Sequence, residues 1–424
     1  MISDHPLRYE LANELHARPF PSLSAPCTAA FLAIKRPNEA ASRDRAEDRA
    51  HLIALLDRYG APHPQPGATQ YFGKIGRHLL KWEQHTEFVT YTAFTNSLSE
   101  RPFDPADFSV FPEDWLETAP GARVTSALIR VEPWTEKQVA VDRCNEWFVP
   151  ESLAASRVLD DAGVMAGDFR IDPTGHLRFA VFVAPSTGAR RIGRVVTRLC
   201  EIETYKSLSM LGFARAKEMS PRMGELDAQL TKLMDKMGAD DSSAEDTLSG
   251  LLSTSTELER MVARNSFRFG ATAAYEAIVH DRIGVLREQR FAGRQTFNEF
   301  MMRRYDPAMR TVKSTERRLA AMADRAIRAG ELLRTRVDVE RSAQNQKLLE
   351  SMDQRAALQL RLQKTVEGLS VVAISYYAVS LASYAAYPLA KLANLSKGEL
   401  TAALTLPVVG LVWWMLRRVQ KKMH

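Results

Sequence analysis

Apolar and polar positions follow two different rhythms along this chain. In the N-terminal part, short apolar runs rich in β-branched and aromatic residues are bounded by Pro, Gly or Asp, as in CTAAFLAIKR, TEFVTYTAFT, ARVTSALIRV, VMAGDFRI and HLRFAVFVA. Such runs predict strands. Between them, LRYELANEL, NEAASRDRAEDRAHLIALLDRYG and FPEDWLET predict helices, giving an α/β or α+β domain over residues 1–190. From Arg191 the helical period takes over, first in RIGRVVTRLCEIETYKSLSMLGFARAKEM and then in GELDAQLTKLMDKM. This helical connector, 191–250, includes a polar loop predicted at 238–250. Beyond it, residues 251–367 read as a stalk of long helices. Leu319, Met322, Ala326, Ala329 and Leu333 keep the 3,4 spacing of a coiled-coil seam. One helix is predicted from Thr315 to Tyr387, about 110 Å long.

Proline placement supports the division. Sixteen of the 20 prolines lie at or before Pro185, and interior proline breaks helices. Long helices therefore belong to the C-terminal half.

The end of the chain changes character. Residues 368–390 form 23 positions without a charge and residues 400–416 another 17, lengths that suit bilayer spans. The short KLANLSKGE link makes them a transmembrane hairpin, followed by a basic tail at 417–424. Arg355, Arg361 and Lys364 precede the hairpin, while Arg417, Arg418, Lys421 and Lys422 follow it. The positive-inside rule then puts both termini in the cytoplasm of a multi-pass bacterial inner-membrane protein. Trp413 and Trp414, with Arg417 and Arg418, are the expected interface anchors. The first residues lack the pattern of a secretory signal peptide.

Composition narrows the chemistry. Net charge is +6, but 57 basic residues are interleaved with 51 acidic ones, so no nucleic-acid partner is expected. Three separated cysteines support neither a disulfide framework nor a cysteine zinc site. Neither GxxxxGK[ST], HExxH nor GxSxG occurs, and no cofactor or enzyme activity is expected. Glu83, His85 and Glu87 in KWEQHTEFV would share a face of one strand and are weak candidate metal ligands; a solvated face with ion pairs is the favoured alternative. In the first span, Tyr376, Ser380, Ser383 and Tyr387 recur at 4,3,4 spacing, a candidate pore or helix-packing face.

HPLRYELANELHARPF, KWEQHTEFVTYT, LCEIETYKSLSMLGFARA and the stretch from RTRVDVERSAQNQK to VVAISYY resemble the bacterial family of uncharacterised membrane-anchored proteins, domain of unknown function 3422. That resemblance covers nearly the whole chain and supplies no catalytic residues. The plan of a cytoplasmic domain, stalk helices, two C-terminal spans and a basic tail is distantly similar to CorA-type magnesium transporters. Their Gly-Met-Asn motif is absent, since the corresponding region reads SYAAYPLAKLANL. Two functions follow as expectations. One is a homo-oligomer, with a pentamer as one assembly, whose first spans line a pathway for an ion such as a divalent cation. The other is a membrane-anchored scaffold or regulatory protein without conduction.

Overall fold

The computed structural model describes residues 2–14, 20–37, 42–237, 244–392 and 396–423. The chain divides into two compact units, residues 1–240 with 249–329, and residues 241–248 with 330–424. In chain order the elements are α1 (Arg8–Glu14), β1 (Cys27–Lys35), α2 (Arg45–Arg58), β2 (Gln70–Ile75), β3 (His78–Gln84) and β4 (Phe88–Thr95). Next come α3 (Glu113–Glu117), β5 (Ala122–Pro133), α4 (Lys137–Trp147), β6 (Ala154–Val158), β7 (Gly163–Gly167) and β8 (Leu177–Val183). The remainder is α5 (Ala189–Met237), α6 (Ala244–Gly284), β9 (Gln289–Arg290), α7 (Phe297–Arg304), α8 (Asp306–Leu392) and α9 (Lys397–Met423).

In the first unit the described strands form one sheet of nine in the order β2-β3-β4-β1-β5-β8-β7-β6-β9. All neighbours pair antiparallel except β5 and β8. Strands and helices are therefore mixed in the α+β manner rather than as βαβ repeats. All nine positions of β1 are buried, which requires a covering layer on each face. Ala30, Leu32 and Ile34 join the core built with Leu52, Leu55 and Leu56 of α2, Trp115 of α3 and Cys144 of α4. The alternate positions, Phe31 and Ala33 among them, belong to the opposite face, where α5 packs against β5, β1 and β8.

Two boundaries differ from the sequence reading. The polar 238–250 segment is helical from Ala244, with Glu245 and Asp246 in the first turn of α6, where carboxylates suit the positive end of the helix dipole; residues 238–243 lie outside the described residues. Pro221 does not end α5. Met219, Met223, Leu226 and Leu230 on both sides of it are at most 5% exposed, and this packing outweighs the roughly 3 kcal/mol that an interior proline costs. Gly212 of α5 lets α6 approach closely, since a Cβ there would lie 2.2 Å from the Thr272 hydroxyl.

The seam positions Leu319, Met322, Ala326, Ala329 and Leu333 are all buried. Arg318 and Arg325, flanking Met322, both pair with Asp227 of α5. This stretch of α8 therefore packs beside α5 of its own chain.

In the second unit, α8 and α9 each contain a window apolar enough to cross a membrane. Only 11% and 6% of those windows are buried. The two helices form a C-terminal pair, and from residue 368 onward their described buried positions are Ser375, Ser383 and Val412.

Candidate functional site

In the first unit a cleft of about 210 Å³ opens between the sheet and α5. Strand period and register build its sheet wall. Phe31 of β1, Thr92 of β4 and Lys81 of β3 are cross-strand neighbours in one row, and Ala33, Thr90 and Glu83 in the next. Period two sends Phe88 of β4 to the same face. Helical spacing builds the other wall, since Thr197, Glu201 and Thr204 recur at 4,3 steps, with Arg198 and Tyr205 one pair of turns apart. Arg282 of α6 and Phe20 complete the lining.

The charges are unevenly matched. Lys81 Nζ lies 2.9 Å from Glu83 Oε2. Glu201 Oε2 is shared, at 2.7 Å from Arg198 Nη1 and 2.6 Å from Arg282 Nε. Three cations thus face two carboxylates, leaving one positive charge in excess. The Arg198 guanidinium also lies 5.2 Å from the Phe20 ring centroid, a cation–π distance. Two buried donors lining the cleft have no hydrogen-bond acceptor among the described residues, Thr197 Oγ1 and Arg198 Nε. Each buried donor left so costs about 1–3 kcal/mol, so their gathering at one cleft calls for an explanation.

The apolar part of the lining is aromatic. His85 stacks on Phe88 at 4.2 Å, and Tyr205 stands edge-on to Phe88 at 6.0 Å. Burial pushes the Cys200 thiol far above the ordinary range, which disfavours the thiolate.

The Glu83, His85 and Glu87 set requires a correction. β3 ends at Gln84, and His85, Thr86 and Glu87 turn into β4, with the His85 N–H donating to the Phe88 carbonyl. Strand alternation therefore does not carry across to Glu87. Glu83 is taken by Lys81. Glu87 is fully buried, accepting from the Tyr275 hydroxyl at 2.6 Å and from Arg268, with Lys35 Nζ at 3.5 Å. Burial alone would raise its carboxyl, but the bonds from Arg268 and Tyr275 and the charges of Arg268 and Lys35 hold it below the ordinary value. Among the described residues no three His, Cys, Asp or Glu side chains are placed to hold a metal ion.

The hydroxyl face of the first apolar segment is divided. Ser383 is buried and Ser380 half-buried, whereas Tyr376 and Tyr387 are 71% and 46% exposed. Neither Ser375 Oγ nor Ser383 Oγ has a hydrogen-bond partner among the described residues. Trp413 and Trp414 are exposed, with the Arg417 guanidinium 4.7 Å from the first ring centroid and that of Arg418 5.2 Å from the second. At the other end of the pair, Lys397 Nζ lies 5.5 Å from the Tyr384 ring and 5.9 Å from that of Tyr387.

Sequence reasoning reached Glu83 and His85 but missed Thr197, Arg198, Glu201, Tyr205 and Arg282. An Arg and a Glu three apart on a helix look like an ordinary surface pair. A family model described as "Protein of unknown function (DUF3422)" matches residues 3–423, nearly the whole chain. No curated protein matches it.

Proposed function

We propose that this chain, which belongs to the DUF3422 family, is a bacterial inner-membrane protein anchored by a helical hairpin, with both termini cytoplasmic and the sheet-containing unit acting as a binding or regulatory domain. The observation that carries this reading is the exposure of the C-terminal helix pair. Leu369, Val372, Leu381, Leu389, Leu406 and Leu411 are each at least 64% exposed. Leaving six such side chains in water forgoes on the order of 10–20 kcal/mol of burial, whereas hydrocarbon accepts them. The cation–aromatic pairs at both ends of the pair, Lys397 with Tyr384 and Arg417 with Trp413, suit the headgroup levels.

Two measurements test the reading. The full chain should stay in the membrane pellet after alkaline carbonate extraction, while a chain ending at Glu367 should not pellet with membranes. In intact cells a Ser396→Cys variant should react with an impermeant thiol reagent and a Met423→Cys variant should not. Release by carbonate, or labelling at Met423→Cys, refutes it. The native cysteines make a quiet background, since all three are buried.

An ion pathway of CorA-like design is the weaker reading. It needs the four hydroxyl positions to share one exposed side, but Ser383 is buried while Tyr376 faces outward. It also needs an oligomer, because two spans do not enclose a pore. Cation flux into proteoliposomes from an oligomer of three or more copies would restore it.

A further inference from the structure

We infer that the cleft between β3, β4 and α5 is a binding site for a small organic monocarboxylate with a flat apolar body. The inference deepens the proposal that this unit is a binding domain, and it stands whether or not the helix pair crosses a bilayer. It rests on three observations. First, Glu201 is shared between Arg198 and Arg282, so one guanidinium charge in a half-buried cleft has no carboxylate of its own. Second, donors without acceptors converge there: Thr197 is 6% exposed and its hydroxyl unpartnered, as is the Nε of Arg198. A carboxylate accepts from a hydroxyl and a guanidinium together and neutralises the extra charge. Third, Phe88 on the sheet wall and Tyr205 on the α5 wall set their rings edge to face at 6.0 Å, a surface for a flat apolar group.

Charge and size narrow the class. One excess positive charge matches a monoanion, whereas a phosphate monoester brings about −1.5 to −2 at neutral pH. The volume of about 210 Å³ lies below the range of about 300–1,000 Å³ of sites for drug-sized ligands. Arg282 and Arg198 would therefore hold the carboxylate, Thr197 would donate to it, and Phe88 and Tyr205 would flank the body.

The test uses the full chain in a non-ionic detergent. Benzoate, phenylacetate and cinnamate are titrated by calorimetry and saturation-transfer NMR, with benzyl alcohol and inorganic phosphate in parallel arms. At least one carboxylate should bind at sub-millimolar concentration and at least tenfold more tightly than benzyl alcohol or phosphate. Arg282→Met should weaken it tenfold or more, and Thr197→Val at least threefold. Arg222→Met, which alters an exposed pair with Glu257 further along α5, should leave it unchanged and so separates the site from partition into detergent. Each variant is used only where its thermal midpoint matches the parent within a few degrees; should Arg282→Met fail that, Thr197→Val decides. The inference is overturned if no carboxylate is preferred over the alcohol, if phosphate binds as tightly, or if folded Arg282→Met or Thr197→Val binds like the parent.

Discussion

Changing Glu87 to glutamine tests the electrostatics of the first unit at its most buried carboxylate. The side chain is fully shielded from solvent and joins the β3–β4 turn to α6 through Arg268 and Tyr275, and to β1 through Lys35. Glutamine keeps the shape and can still accept from Tyr275, but it leaves the buried Lys35 and the half-buried Arg268 without a counter-charge. Breaking a buried pair from one side costs about 3–5 kcal/mol. Tyr275→Phe removes only a hydrogen bond to a charged acceptor, about 1.5–3 kcal/mol. For a folded unit of more than 300 residues, 1 kcal/mol corresponds to about 1.5 °C in Tm. Glu87→Gln should therefore lower Tm by about 4–8 °C and Tyr275→Phe by about 2–4 °C. Asp114→Asn, at the exposed Arg58–Asp114 pair, should leave Tm unchanged within error. Adding Arg268→Met to Glu87→Gln removes one stranded charge, so the double variant should be no less stable than the single one. The assay is thermal unfolding of the full chain in detergent, followed by near-ultraviolet circular dichroism. A Glu87→Gln shift below 2 °C, or a double variant markedly worse than the single, would refute the reasoning.

Burial lowers the imidazole pKa of His51, His78 and His176, with Arg77 and Arg123 lowering the second and third further. The unfolded chain therefore takes up protons first, so this stability is complete above about pH 6.5 and is lost as pH falls toward the folded values; Tm scans from pH 7.5 to 5 should decline, less steeply in His51→Gln, and a flat profile counts against it. Burial also pushes the Cys27 and Cys144 thiols up to about 12, so iodoacetamide at pH 8 should label neither until denaturant is added; rapid native labelling would contradict their placement. Met322, 3% exposed, should not tolerate aspartate, which would bury an unpaired charge, whereas the exposed Arg328 should accept it with little change in Tm. Equal losses at both positions would mean that the packed side of α8 is misplaced.

What the sequence made legible follows the range of the forces involved. β1, β4, β5 and β8 were readable because their β-branched and aromatic runs fill a buried surface locally. β6, AASRV, and β2, QYFGKI, carry no such run, and their strand state comes from pairing with β7 and β3. The turn between β3 and β4 escaped notice because His85, Thr86 and Glu87 include no Gly, Pro, Asn or Asp to mark it. Reading across that turn as continuous strand produced the false metal face. Glu87 itself could not be recognised as buried, since Arg268 and Tyr275 lie 181 and 188 residues away. The cleft is hidden for the same reason: its walls come chiefly from residues 81–92 and 197–205, with Phe20, Phe31 and Arg282 added from elsewhere in the chain. Both walls overlap segments that carry the family resemblance, KWEQHTEFVTYT and LCEIETYKSLSMLGFARA.

The helical seam shows a different limit. Spacing of 3,4 from Leu319 to Leu333 identifies a face that must pack against another helix, and every one of those positions is buried. Spacing carries no information about which helix that is. Pairing of Asp227 with both Arg318 and Arg325 gives α8 a partner inside the chain at Met322, so the seam there needs no second copy to be satisfied. The apolar C-terminal helices are different in kind. Their character is fixed by composition over 23 and 17 uncharged positions, and a bilayer satisfies such a surface without any particular partner. The apolar character of the helix pair was therefore readable from the residues alone, while the cleft of the folded unit required the register that brings Lys81, Thr92 and Phe31 into one row opposite Thr197 and Arg198.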